Sequence, residues 1–424
     1  MQPLFSYLSP ENWPFNLALL PDSACLVGGA VRDALLGRNS QRLDLDFVMP
    51  LEAVKTARKI AKIYQAGFVL LDSDRQIARV VFKDCTVDFA QQEGENLETD
   101  LQRRDYTINA IAYNPYTQKF IDPLQGCKDI EARLIRMVSR QNLEDDPLRV
   151  LRGYRQAAQL NFTIENNTRD AIRDCAYLLN NIASERIHNE ISYLLNNLQG
   201  VPWLIAAWED GVLNQVFQID ITATGIKQLV KVGENAKIIW ENWPQLQTDL
   251  SAEIRGINPL SWLAIAKLTS LLSPGTEKTE LNTDWLKELK YARGEIRGIN
   301  ALLQYLPQMR SAAAIAEFSL REQFFCFRTL GEGFPALVLL SLALDTPLES
   351  IAPLVDRYLN PNDQVAHPTP LINGQELMQA LQLPSSPLVG WLLTQIQIAR
   401  IENKIATVSE ALELAAELMA SYPG

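Results

Sequence analysis

Apolar and polar positions alternate with two different periods along this chain, and the change of period divides it. Cys25-Leu26-Val27 is a short apolar run that meets two glycines, Gly28 and Gly29. Ala30, Val31, Ala34, Leu35 and Leu36 follow at helical spacing, and Gly37 stops them. A polar turn over 38–42 leads to Leu43-Asp44-Leu45-Asp46-Phe47-Val48. Strand side chains alternate between faces, so Leu43, Leu45 and Phe47 share one face and Asp44 and Asp46 the other. Residues 51–64 have helical spacing, and 68–71, 77–82 and 86–90 are short and β-rich. In the last of these Val87 and Phe89 face one way and Asp88 the other. Asp88 therefore joins Asp44 and Asp46 if the two strands are neighbours in a mixed sheet. Residues 91–102 are polar and predict a loop running into a helix. The next stretch, RRDYTINAIAYN, spaces Asp105 and Asn109 four apart, which predicts a shared helix face.

From Asp145 onward strand alternation all but disappears. Helical patterns dominate, broken by Pro202, Pro244, Pro259, Pro274, Pro335 and Pro353. Asp146-Pro147 predicts an N-cap followed by proline at the first helical position. The expected architecture is an α/β head with a small mixed sheet, then a long all-α remainder.

At 424 residues and 47% hydrophobic content the chain exceeds one domain and fills sizeable cores. Its net charge of −11 argues against diffuse binding to nucleic acid, so RNA contact requires a local basic surface. Candidates are Lys227, Lys231 and Lys237, or Lys287, Lys290 and Arg293, and each set also reads as a solvated helix face. Five scattered cysteines without a CxxC pair point to reduced thiols and a cytoplasmic location. Two histidines are too few for a histidine-based metal site or an HD-type phosphohydrolase. No signal-peptide pattern begins the chain, and no apolar run reaches the ~18 residues of a membrane span, so no membrane partner is expected.

The chemistry concentrates in three places. Paired carboxylates at 44 and 46 stand about twenty residues from a Gly-Gly turn that offers backbone N–H groups to an anion. A DxD pair alone is more often a solvated surface feature, and two glycines often end a strand. Together they suggest a metal–nucleotide site, in which paired carboxylates bridge two Mg²⁺ ions and Arg32 meets triphosphate oxygens. Secondly, Arg104, Asp105 and Asn109 combine a phosphate binder with groups that hydrogen-bond ribose; a capped helix start is the plainer reading. Thirdly, Asp146 and Arg149 form an acceptor–donor pair, and Arg152 and Arg155 continue the arginine stripe. Cytosine and adenine show an amino donor beside a ring acceptor, whereas uracil and guanine show the reverse. Each unpaired buried group costs ~1–3 kcal/mol, so two mismatches give roughly several hundred-fold discrimination.

These pieces carry a resemblance. GGAVRDALLGR…DLDFV (28–48), RRDYTINAIAYN (103–114), DPLQGCKDIEARLIRMV (122–138), DDPLRVLRGYRQAAQLNF (145–162) and SERIHNEI (184–191) resemble, in order and spacing, the class II tRNA nucleotidyltransferases. This is the CCA-adding enzyme and poly(A) polymerase family of the DNA polymerase beta-like superfamily. Residues 371–393 resemble its C-terminal region more weakly. The resemblance implies a head at 1–140, a neck at 141–205, a body at 206–360 and a tail at 361–424, with the tRNA acceptor stem along body and tail. It implies two Mg²⁺ ions on Asp44 and Asp46, with Asp88 as third carboxylate. Gly28, Gly29 and Arg32 would contact the triphosphate, and Arg104, Asp105 and Asn109 the ribose. Asp146 and Arg149 would template the incoming C or A, and Arg152 and Arg155 would support triphosphate or template.

Two departures from the family pattern, Gln156 for an aromatic residue and Ser385-Ser386-Pro387 for Gly-Pro, are expected to lie away from the chemistry. A third concerns it. Only fifteen residues separate Asp88 from Arg104, where A-adding members resemble one another in a longer loop. The short segment resembles the CC-adding subset, which implies CTP-dependent C addition, with ATP use and the full CCA end in question and a separate A-adding enzyme as a partner. A poly(A) polymerase would be expected to carry a basic C-terminal extension, which is not evident, and a non-catalytic RNA-binding protein would not need all three carboxylates.

Overall fold

Residues 8–38, 43–256, 258–272 and 284–422 are described by the computed structural model. Most of the polar turn before Leu43, and Pro274, lie outside them. The chain divides into two compact units, Met1–Ile219 and Asp220–Gly424.

The first unit is built on a seven-stranded mixed sheet. Its strands are β1 (Cys25–Val27), β2 (Leu43–Met49), β3 (Gly67–Asp72), β4 (Ile77–Val81), β5 (Cys85–Gln91), β6 (Ala112–Asn114) and β7 (Lys119–Ile121), in the order β3-β4-β5-β2-β1-β6-β7. β2 and β5 are parallel and every other neighbouring pair is antiparallel. The period-2 pattern explains why the sheet is two-faced. Leu45 and Phe47 of β2 and Val87 and Phe89 of β5 are fully buried on one face. There Phe47 stacks on Phe89 at 5.7 Å and meets the edge of Trp13 at 5.0 Å. On that side lie α1 (Gly29–Leu35) and α2 (Ala53–Tyr64), whose Val31, Ala57 and Ile60 enter the same core. The opposite face has only a small apolar cluster, including Val27, Val48, Leu101 and Ala112. Its remaining positions carry the carboxylates.

The expected helix over Asp105–Asn109 is not formed. Thr107–Asn109 is a single 3-10 turn, entered from an extended Tyr106 that bridges to Met137. Short helices α3 (Leu97–Leu101), α4 (Gly126–Glu131) and α5 (Arg140–Asp145) fill the connections, and α6 (Leu148–Leu160), α7 (Asn166–Cys175), α8 (Ser184–Asn196), α9 (Val201–Glu209) and α10 (Val212–Phe217) complete the unit. Asp146 ends α5, and Pro147 rather than Asp146 is the N-cap residue of α6, with no side-chain cap. Asp146 contributes its backbone carbonyl, which accepts from the Arg149 N–H. α6 is fixed from both sides. The buried Tyr106 hydroxyl donates to the Arg149 carbonyl at 2.6 Å. Tyr154 donates to Asp210 at 2.7 Å, and Arg169 and Arg173 of α7 donate to the same carboxylate.

Among the described residues the second unit is helical, apart from one bridge between Glu253 and Ser261. Trp262–Leu272 and Phe334–Ala343 are almost wholly buried. The stretch Leu320–Ala343 is long and apolar enough to cross a membrane by length and composition, and 72% of its most apolar 18-residue window is buried inside the protein. The expectation of no such run is corrected accordingly: the core of an all-α unit needs helices apolar on every side. Pro353 does not break its helix either. It lies within Leu348–Leu359, where buried Ile351, Leu354 and Val355 offset the ~3 kcal/mol cost of an interior proline. Lys231 pairs with Asp345 at 2.5 Å. A last cluster joins Gly374–Leu381, Pro387–Ile401 and Val408–Leu418 around Leu377 and Leu392.

Gly153 is where α6 passes closest to Tyr106: a Cβ there would stand 2.5 Å from the hydroxyl. Gly153→Ala is expected to destabilise the protein by roughly 1–3 kcal/mol through overpacking. The check is a thermal melt, in which Tyr106→Phe in the same chain should restore part of the lost Tm.

Candidate active site

The parallel pairing of β2 with β5 sets Asp44 opposite Thr86 and Asp46 opposite Asp88. Three carboxylates therefore occupy one patch of the polar face, as the alternation predicts. They are held differently. Thr86 donates to Asp44 at 2.6 Å. Arg79, opposite Asp88 on β4, donates from Nε and Nη2 to both Asp88 oxygens at 2.7 and 2.8 Å. Asp46 has no such guanidinium pair. Burial, then the charges of Asp88 and Asp44, push its carboxyl up to about 6, and Arg104 and Arg79 offset only part of this.

A carboxylate so placed favours a cation. Among the described residues no group of three or more His, Cys, Asp or Glu side chains is poised around a metal position. Arg79 occupies Asp88, so the expected three-carboxylate set is met in placement and not in hydrogen bonding. Asp44 and Asp46 remain as oxygen donors of the kind that Mg²⁺ prefers, and the placement of Asp46 opposite Asp88 on the same strand face as Asp44 fits a divalent ion there.

Gly28 borders this patch. Its φ of +76° and ψ of −139° suit only glycine. A Cβ would stand 3.3 Å from an Asp46 oxygen and 3.6 Å from Arg104 Nη1. The bare backbone thus keeps space open between a carboxylate and a guanidinium. Arg104 is itself steered by Asp100, at 3.2 Å, and its buried Nε has no partner. α1 spans only seven residues, so its dipole is a small term. Arg32 on α1 donates to Asn109 Oδ1 at 2.8 Å and to Asp33 at 2.9 Å.

Asp105 and Asn109 do meet, through side chains rather than a helix face: Asn109 Nδ2 donates to Asp105 Oδ1 at 2.9 Å. Asp105 is 6% exposed and its lone pairs are taken. Oδ1 also accepts from the Tyr106 N–H, and Oδ2 accepts from Arg152 Nε at 2.9 Å and Gln156 Nε2 at 3.1 Å. Burial pushes this carboxyl up, but the Arg152 charge and the bonds from Asn109 and Tyr106 outweigh it and hold the group well below the usual carboxylate range. Gln156 is thus no bystander. It is 2% exposed, and its Oε1 also accepts from Asn109 Nδ2 at 2.9 Å. The expectation that it lies away from the chemistry is corrected: its partners come from a segment about fifty residues earlier in the chain. Arg155 donates to Glu190 of α8 at 2.5 Å and to Gln159 at 2.9 Å, so it braces α6 against α8.

Asp146 and Arg149 line a cavity of about 590 Å³ together with Val48, Ala90, Arg103, Arg104 and Arg186. Arg149 donates to the Asn142 carbonyl at 3.0 Å, and Asn142 donates in turn to the carbonyls of Gln102 and Arg104 at 2.8 Å. Asp146 Oδ2 accepts from Arg186 at 3.1 Å, whereas its Oδ1 is buried with no partner. The segment between Asp88 and Arg104 closes one side. β5 runs to Gln91 and α3 starts at Leu97. Between them Glu93 bonds Asp100 through its N–H and pairs with Arg103 through its carboxylate.

Arg79, Glu190 and Arg186 are the site residues not singled out in the sequence, and Gln156 was named there only as a departure from the family pattern. Arg79 was within reach: strand alternation puts it on the side opposite Ala78 and Val80, the side that carries Asp88 on the neighbouring strand.

Three family models match the chain: the poly A polymerase head domain over 24–136, the RNA and SrmB-binding site of polymerase A over 161–219, and tRNA nucleotidyltransferase domain 2 over 262–416. A CC-adding tRNA nucleotidyltransferase of Synechocystis sp. is 45% identical over 96% of this chain and 96% of its own length. An A-adding tRNA nucleotidyltransferase of Deinococcus radiodurans is 28% identical over 95% of this chain and 97% of its own length. A solved structure of a CCA-adding enzyme in complex with CTP aligns with TM-score 0.68 at 23% identity, covering 95% of this chain and 91% of that one. That likeness establishes the shared fold.

The native state binds the Asp46 proton more tightly than the unfolded chain does. Ionising Asp46 therefore lowers stability as pH rises from the ordinary carboxylate range through about 6. Asp46→Asn is expected to raise the Tm of the metal-free protein at pH 7.5, with little change at pH 4, while Mg²⁺ stabilises the native protein more than the variant. Melting curves at the two pH values, with and without Mg²⁺, check this. Gln156→Met keeps the volume and leaves a buried Asn109 N–H unpaired. A cost of ~1–3 kcal/mol is expected in chemical denaturation.

Proposed function

We infer that this chain, which belongs to the tRNA nucleotidyltransferase family, adds C residues from CTP to the 3′ end of tRNA and stops before the terminal A. The named activity of the Synechocystis relative supports the choice of C. The observation that carries the nucleotide assignment is the Asp146 carboxylate. One oxygen is held by Arg186 and the other is buried and unpartnered beside Arg149, in a cavity of nucleotide size.

Asp146 accepts from the exocyclic amino group of the incoming base, and Arg149 donates to its ring acceptor. The carbonyl of uracil would face Asp146 instead, acceptor against acceptor. Arg104 and Arg32, with the backbone at Gly28 and Gly29, receive the triphosphate. Asp105 acts on the ribose through what it holds: its own lone pairs are occupied, so Asn109 and Arg152, which it positions, present the contact groups. Asp44 and Asp46 would hold two Mg²⁺ ions, whose charge would stabilise the attacking and leaving oxygens of nucleotidyl transfer. Asp88, paired with Arg79 in this structure, would serve as the third carboxylate of that set.

The stop after CC rests on the segment between Asp88 and Arg104. It is tied down at Glu93 by Asp100 and Arg103, and only 92–96 lie between β5 and α3. The cavity wall is thereby set for one size of base, and a separate enzyme supplies the A. Residues 141–205 act as a neck carrying the base-reading pair, and the helical regions 206–360 and 361–424 take the acceptor stem of tRNA. The protein works in the cytoplasm.

Purified protein given labelled CTP and ATP with a tRNA transcript lacking its CCA end is expected to add two C residues and no A. Formation of a complete CCA end would overturn the CC-only reading. Asp46→Ala and Asp44→Ala are each expected to reduce C incorporation by ~10³-fold, the scale of several kcal/mol of lost charge stabilisation.

A further inference from the structure

Asp146 is a carboxylate with two unlike oxygens. Oδ2 lies 3.1 Å from Arg186 Nη2, and Oδ1 is shielded from solvent without any hydrogen-bond partner. A free carboxylate turns readily about its last torsion, which is broad and two-fold. A base-reading acceptor that turns, or that takes a water into its place, loses its power to reject a carbonyl. Something must therefore fix which oxygen faces the base. Arg186 is the side chain that does so.

We propose that Arg186 is a positioning residue for base selection: by holding Asp146 Oδ2, it aims Oδ1 at the amino group of the incoming cytosine. This rests on the base-reading role assigned above to Asp146. The anchor is firm for three reasons. Arg186 sits in the first turn of α8, with its N–H bonded to the Ala183 carbonyl at 2.9 Å. The next residue, Ile187, is 6% exposed and seats that turn in the core. One turn further along, Glu190 of the same helix holds Arg155 of α6. α8 therefore braces the base-reading region at two points, one at the acceptor itself and one on the helix that carries Arg149. The Arg186 side chain is 50% exposed, so the guanidinium is not needed to fill the core. A monodentate bond to one oxygen also suits the purpose. A bidentate clamp, like that of Arg79 on Asp88, would consume both oxygens and leave nothing for the base.

The test uses the full-length protein and a tRNA transcript lacking its CCA end, with kcat/KM measured for CTP, UTP and dCTP. Arg186→Met keeps the aliphatic stem and removes the anchor. The CTP-over-UTP ratio is expected to fall about tenfold, a difference of ~1.4 kcal/mol, with the CTP-over-dCTP ratio unchanged. Arg186→Lys retains a donor and a charge and is expected to recover part of the CTP-over-UTP ratio. Asp146→Ala serves as the reference and should abolish that ratio. If Asp146→Ala collapses the ratio and Arg186→Met leaves it intact, the positioning role is overturned while base reading by Asp146 stands. An equal loss for CTP and UTP in Arg186→Met also overturns it, because that is the mark of a cation that merely attracts nucleotide. If Asp146→Ala leaves the ratio intact, base reading itself fails and the role of Arg186 fails with it.

Discussion

The arrangement depends on one buried carboxylate, that of Asp105. It lies between the sheet and α6, and its oxygens accept from Tyr106, Asn109, Arg152 and Gln156. Through Asn109 it reaches Arg32 on α1, and through Arg152 and Gln156 it grips α6. A buried charge of this kind contributes little net stability, because desolvation offsets most of the attraction. Its value is geometric. Each donor is fixed by a partner that is itself fixed, so α1 and α6 share one origin. Removing any member leaves a buried polar group unpaired, a larger loss than the bond alone.

Set beside Asp105, the other acids of this unit show how environment separates residues of one type. Asp210 accepts from Tyr154, Arg169 and Arg173, and despite burial these bonds hold its carboxyl below the usual range. Asp46 lies among other acids without an equivalent set of donors, and its carboxyl is raised. Asp105 and Asp210 are thus saturated and structural. Asp46 is under-satisfied, which is the condition in which a site gains most from a cation or a ligand. Asp146 stands between the two states, with one oxygen satisfied and one not.

Strand periodicity was enough to foresee the carboxylate patch. With Leu45, Phe47, Val87 and Phe89 required in the core, Asp44, Asp46 and Asp88 had to share the other face. What periodicity does not carry is the partner of each group. The Asp46–Asp88 register joins segments about forty residues apart. The Asp105–Gln156 bond joins segments about fifty apart, and a local reading of Gln156 sees only a polar residue where an aromatic is usual. For the same reason spacing alone assigns Asp105 and Asn109 to a helix. An i, i+4 relation can equally be closed by a side-chain bond across an extended residue and a 3-10 turn. Asp146 was misplaced as an N-cap because spacing does not reveal that α5 runs up to it and that Pro147 takes the cap position of α6.

The selection of one nucleotide over another then becomes a question of what is free to move. Asn142 ties α5 to the Gln102–Arg104 backbone and receives Arg149, and Glu93 ties the preceding segment to Asp100 and Arg103. The wall of the cavity and Arg149 are therefore coupled through Arg104 and its neighbours. If Asp146 and Arg149 read the base as proposed, accepting a larger base requires that pair to shift relative to that wall. A longer connection between β5 and α3 would leave slack for the shift; five residues already pinned at Glu93 leave little. Under the proposed function, nucleotide choice is a property of the constraint between Asp88 and Arg104 as much as of the two residues proposed to read the base.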